Sequence, residues 1–151
     1  MTAAHMPLAG ACRCGRIGLE ISAPPVMTSA CHCRGCQRMS ASAFSLSAMV
    51  PAQAFRVMGG EPVKGGAMSP QIDHYFCPDC KTWMFTEIAG LDGLVNVRST
   101  MLDDPAWSRP FIETMTAEKL AWARTPARHS YEGFPPPEDF GRLLEEFAAE
   151  R

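Results

Sequence analysis

Residues 31–36 read Cys31-His32-Cys33-Arg34-Gly35-Cys36, three thiols within six residues around a glycine that permits a tight turn. Such a segment can wrap a metal ion without ligands from elsewhere, and three thiolates leave one of four tetrahedral positions open. Working outward, four further cysteines bring the total to seven, as Cys12-Arg13-Cys14 and Cys77-Pro78-Asp79-Cys80. Each pair is a two-ligand turn that cannot saturate a metal alone. The pairs are therefore expected to join as a closed, structural, four-thiolate zinc site. Seven then divides into a staple (Cys12, Cys14, Cys77, Cys80) and a candidate reactive set (Cys31, Cys33, Cys36). Disulfides fit poorly: the count is odd, a C-x-C pair bridges with difficulty, and the first fifteen residues lack the basic-then-apolar order of a signal peptide.

The segments around the cysteines read as strands. Ile17, Leu19 and Ile21 alternate with Gly18, Glu20 and Ser22 until Pro24-Pro25, the period of a half-buried strand. Residues 26–33 lead into the triplet, and Phe44, Leu46, Ala48 and Val50 alternate after it, so the triplet lies between two strands. Residues 55–58, 72–76, 82–88, 94–98 and 111–115 are further extended pieces, and the 77–80 pair falls at the tip of a hairpin. A helix is expected in the tail alone, where Phe140, Leu143, Leu144, Phe147 and Ala148 follow a helical stripe after Pro135-Pro136-Pro137. Residues 124–137 are expected as coil. The fold class is thus mainly β with a short C-terminal helix, and 151 residues are expected to form a single zinc-binding domain over 1–151.

Composition narrows the function classes. Thirteen prolines and 12 glycines spread along the chain leave no room for a coiled coil or a helical solenoid. No run approaches the roughly 18 apolar residues of a membrane span. The formal net charge of -2, with scattered Lys and Arg, makes nucleic acid an unexpected partner. A soluble, unprocessed, cytoplasmic chain is the expectation.

Three thiolates weaken the acidity that zinc confers on bound water, which argues against hydrolysis. A soft exogenous thiol is the better fourth ligand, and zinc would keep it in the nucleophilic thiolate form. The alternative is closure of the site by His32, His74 or an Asp, although an extended backbone would turn His32 away from its neighbours. Arg34 and Arg38 flank the triplet and are candidate cofactor-binding cations for an anionic small molecule, with Arg13, Arg16 and Lys81 near the other pairs. Equally, these cations could simply offset thiolate charge.

The order G-A-C-R-C-G, C-H-C-R-G-C-Q-R, F-C-P-D-C and L-D-D-P, with Trp122 beyond, resembles the glutathione-dependent formaldehyde-activating enzyme family, which includes centromere protein V. The resemblance covers about residues 10–124, leaving a C-terminal extension with a helix over about 135–150. It implies an Mss4-like β-tent of antiparallel strands around zinc sites. It also implies structural ligands at Cys12, Cys14, Cys77 and Cys80, and catalytic ones at Cys31, Cys33 and Cys36. The implied activity is that of a carbon-sulfur lyase, similar to S-(hydroxymethyl)glutathione synthase, which adds glutathione to formaldehyde or another small aldehyde. A non-catalytic, zinc-stabilised thiol carrier or protein-binding module is the alternative. One departure stands out: many relatives have Gly after the last cysteine, where this chain has Lys81.

Overall fold

A computed structural model describes residues 4–151. Among them, eleven strands form two sheets. The small sheet has the order β1-β2-β5, from β1 (Leu8–Ala11), β2 (Gly18–Ile21) and β5 (Phe55–Met58), all antiparallel. The large sheet draws on β3 (Met27–Cys31), β4 (Ser45–Pro51), β6 (Val63–Ser69), β7 (Ile72–Phe76), β8 (Trp83–Ile88), β9 (Leu94–Val97), β10 (Ile112–Thr114) and β11 (His129–Ser130). Their order across it is β11-β10-β3-β4-β9-β8-β7-β6.

The two sheets close on one another because the alternation read from the sequence gives each of them an apolar face. Leu8, Leu19 and Ile21 from the small sheet meet Ala48, Val50, Phe85, Val95 and Val97 from the large one in a single buried cluster. Gly10 is required there: a Cβ at this position would lie 2.3 Å from the Met101 carbonyl oxygen, against which β1 packs. The opposite face of β3 and β4 carries Ser29, Ser45, Ser47 and Cys31 at one end and Met27 and Met49 at the other, and its polar end sets up the site.

Helix α2 (Pro137–Glu150) confirms the expected tail helix, with Pro137 at its first turn and Glu138 and Asp139 near its N-terminus. Its apolar stripe buries Leu143 and Phe147 against Met27, Phe111 and Ile112 in a second cluster. Several features depart from the sequence reading. A helix α1 (Arg34–Ser40) follows β3, where a loop was expected. The segment 124–137 is not wholly coil, because β11 lies within it. The sheet is also not wholly antiparallel: β10 runs parallel to both β3 and β11. Neither direction nor partner of a three-residue strand can be read from its own period.

Candidate functional site

The two cysteine pairs meet as expected, and they meet across the sheets. Cys12 and Cys14 sit in the β1–β2 turn, whereas Cys77 and Cys80 sit in the β7–β8 turn. All four sulfurs lie within 4.8 Å of one another. Cys14 Sγ is 3.6 Å from Cys12 Sγ and 3.9 Å from Cys77 Sγ. An ideal ZnS4 tetrahedron with ~2.3 Å bonds has S–S edges of ~3.8 Å, so the spacing suits a shared ion and is far too long for disulfides. The thiols are free.

Local hydrogen bonds hold this set. The Ile17 N–H donates to Cys12 Sγ at 3.4 Å, and the Arg13 N–H reaches the Thr82 hydroxyl at 3.1 Å across the two turns. The hydroxyl and backbone N–H of Thr82 lower the Cys80 pKa to about 5, which makes Cys80 a thiolate at neutral pH. Arg16 pairs with Asp79 at 3.1 Å on the surface, so this cation bridges the turns rather than facing a ligand. Lys81 adopts φ 60, the left-handed conformation that favours glycine. Its N–H donates to the Cys77 carbonyl at 3.1 Å and its ammonium to the Pro78 carbonyl. The departure from Gly therefore leaves the turn intact, at a conformational cost of about 1 kcal/mol.

Cys31, Cys33 and Cys36 form the second set, again with every sulfur within 4.8 Å of the others. Cys31 ends β3, Cys33 caps α1, and Cys36 lies in its first turn, whose N–H donates to Cys33 Sγ at 3.3 Å. A cysteine cap followed by Gly35 and Cys36 was not legible as a helix start, because it lacks the usual Ser, Thr, Asp or Asn. The Cys36 thiol is the foremost group that lowers the Cys31 pKa, to about 5, aided by the Cys33 N–H and the Thr114 hydroxyl. Conversely, the neighbouring Cys31 and burial push Cys36 upward.

Among the described residues neither histidine nor carboxylate joins this set. His32 is turned away as its extended position predicts: it is fully buried, and its Nε2 donates to Glu113 Oε2 at 2.9 Å. Glu113 also accepts from Lys119 at 2.9 and 3.0 Å, from Thr125 at 2.7 Å and from Ser130. Burial opposes the charge of Glu113, but these donors, led by Ser130 and Lys119, overcome it and lower its pKa to about 2. The backbone between two of the three thiols is thereby tied to β10 and β11.

Arg34 and Arg38 are both exposed on α1. The Arg34 guanidinium donates to the Gln37 side chain, and its N–H reaches Glu118 Oε2 at 2.5 Å. The buried cation is Arg98, which sequence reading did not single out. It follows the apolar strand β9 and stacks on Trp83, 4.1 Å from the ring centroid. His74 meets Trp83 edge-on at 5.2 Å; the Trp83 indole N–H donates to the Thr86 hydroxyl at 3.2 Å, and His74 Nδ1 hydrogen-bonds to the same hydroxyl at 2.9 Å. A Cβ on Gly66, which has φ +70, would lie 2.9 Å from Met39 Cε of α1 and 3.2 Å from His74 Cδ2. The β6–β7 hairpin and α1 therefore approach each other over the polar face of the sheet. A charged residue after a strand is usually solvated, so no local signal marks Arg98.

Seven cysteines in these two sets on two packed sheets can be set beside known proteins. A crystal structure of a Rhodobacter sphaeroides protein matches with a TM-score of 0.53 at 19% identity, covering 63% of this chain and 87% of that one, a likeness of fold. No curated protein matches. The model of one family, described as glutathione-dependent formaldehyde-activating enzyme, matches residues 7–118. That span holds all seven cysteines and the strands that carry them, so the chain belongs to the glutathione-dependent formaldehyde-activating enzyme family.

Proposed function

We propose that the protein is a zinc-dependent carbon-sulfur lyase-type enzyme of the S-(hydroxymethyl)glutathione synthase kind, acting on glutathione, or a similar thiol, and formaldehyde or another small aldehyde. Cys12, Cys14, Cys77 and Cys80 hold a structural zinc, and Cys31, Cys33 and Cys36 hold a catalytic one. The observation that carries the reading is a three-thiol set that no histidine, carboxylate or fourth cysteine joins among the described residues. Zinc bound there supplies a Lewis-acid centre with one open position, at which an exogenous thiol stays deprotonated near neutral pH.

The remaining work falls to the chain. Cys33, as the cap of α1, and Cys31, at the end of β3, fix the thiols on two rigid elements. The His32–Glu113 contact holds the intervening backbone. We assign Arg34 and Arg38, exposed on α1, as the cations for the two carboxylates of glutathione. In the addition a carbon-sulfur bond forms, the carbonyl π bond opens, and the proton lost by the thiol ends on the aldehyde oxygen, giving a hydroxymethyl thioether. The proposal includes a single domain over residues 1–151, a reducing cytoplasmic setting that suits free thiols, and no nucleic-acid partner.

Formaldehyde and glutathione also combine unaided, so the test is exchange between them and their adduct, followed by NMR. The zinc-loaded protein is expected to exceed the uncatalysed rate by at least about 100-fold at saturation, and Cys36→Ser to return to it. Tight glutathione binding with no rate above background would overturn the enzyme and leave the carrier.

A further inference from the structure

Arg98 is 8% exposed, and its Nε is buried with no hydrogen-bond partner. Register places it on the sheet face that carries Cys31. Val97 pairs with Ala48 on the core side, so Arg98, one residue on, shares the opposite face with Ser47. Ser47 faces Ser29 across β4 and β3, and Ser45 faces Cys31 two residues along. Cys31, Ser45, Ser47 and Arg98 thus rise from one face. Trp83 holds the guanidinium plane at 4.1 Å, and the Asn96 carbonyl accepts from Nη2 at 3.2 Å.

A buried cation is costly unless something negative faces it. Burial pulls the Arg98 pKa down to about 10, and the groups that oppose this are Cys36 and Cys31. It thus remains charged at neutral pH. Three thiolates and a divalent ion sum to one negative charge, and a thiolate in the open position makes two. In a low-dielectric setting such accumulation needs an offset. Arg34 and Arg38 are exposed and cannot supply it at close quarters.

We propose that Arg98 is the specificity-determining cation for the fourth ligand: its unpartnered edge offsets the charge that builds when a thiol binds as thiolate beside Cys31, Cys33 and Cys36. The assignment rests on the zinc reading above. It makes the site selective for anionic sulfur itself, with the carboxylates of glutathione left to other groups.

The test uses zinc- and cobalt-loaded full-length protein. It measures metal content, calorimetric affinity, and the sulfur-to-cobalt absorption that reports a thiol at the ion. Two probes separate the sources of negative charge: glutathione, and 2-mercaptoethanol, which has no carboxylate. Arg98→Met is expected to keep both metals and to bind both thiols roughly 30-fold or more weakly. Arg98→Lys keeps the charge and recovers most of that loss, which also decides the matter if the Met variant does not fold. Unchanged affinity in Arg98→Met, loss confined to glutathione, or a Lys variant that keeps its metal but binds neither thiol would each overturn the proposal. A wild-type protein that takes up no metal at the three-thiol set would instead overturn the zinc reading together with it.

Discussion

Cys77→Ser is expected to give insoluble protein or protein without a cooperative melt, while Cys33→Ser stays folded. The asymmetry follows from where each set is anchored. Cys77 is fully buried in the β7–β8 turn, and its partners Cys12 and Cys14 lie in the β1–β2 turn of the other sheet. An ion shared by these turns closes a loop of more than sixty residues and ties the sheets together, offsetting the entropy of that closure. Structural zinc contributes on the order of 10 kcal/mol, as much as the whole net stability of a typical domain. The three-thiol set, by contrast, spans one strand end and one helix turn that are already neighbours in the chain. Thermal melts with zinc analysis check the prediction. A Cys77→Ser protein with an unchanged melting temperature would show that the partition into four and three is wrong.

Glu113→Gln is the second large effect. Glu113 sits 6% exposed among His32, Lys119, Thr125 and Ser130. Removing the charge leaves Lys119, 20% exposed at its side chain, without its partner. A carboxyl held at about 2 in the fold, against an ordinary 4.5, contributes about 3 kcal/mol at neutral pH. The sign follows from the lowered value: the contribution is complete above the unfolded-state pKa of 4.5 and fades as pH falls from there through about 2. Wild type should therefore exceed Glu113→Gln by roughly 3 kcal/mol in urea denaturation at pH 7, with the gap closing below pH 4.5. Comparing the two proteins cancels the acid sensitivity of the cysteine sites, which both share. A gap that is absent at pH 7, or that grows on acidification, would contradict the assigned network.

The cysteine spacing carried most of the site. Two C-x-C or C-x-x-C turns and one compact triplet needed no tertiary information to be sorted into four and three, and both sets assemble in the fold. Period-2 alternation likewise marked β2 and β4, because each has one face in the core, and the turns that bound them marked the strands around the last pair. What escaped lacked a pattern of its own. β1 is Leu8-Ala9-Gly10-Ala11, with little β propensity, and exists because it packs on β2 and against Met101. β6 carries Gly65 and Gly66 and is held by pairing with β7. Helix α1 buries Gln37 and shows no apolar stripe. Arg98 and Glu113 owe their importance to partners far along the chain, Trp83 and the cysteines for one and His32 for the other, and nothing local marks a charged residue for burial.

The proposed reaction requires an open position at the three-thiol set that takes an exogenous thiol through sulfur. Calorimetric titration of glutathione into zinc-loaded wild type and Cys36→Ser, with S-methylglutathione as the ligand whose sulfur is blocked, tests it most directly. Measurable affinity in the wild type, weaker binding of the methylated ligand and loss of binding in Cys36→Ser are expected. Equal affinity of glutathione for the two proteins, or of the two ligands for the wild type, would contradict it.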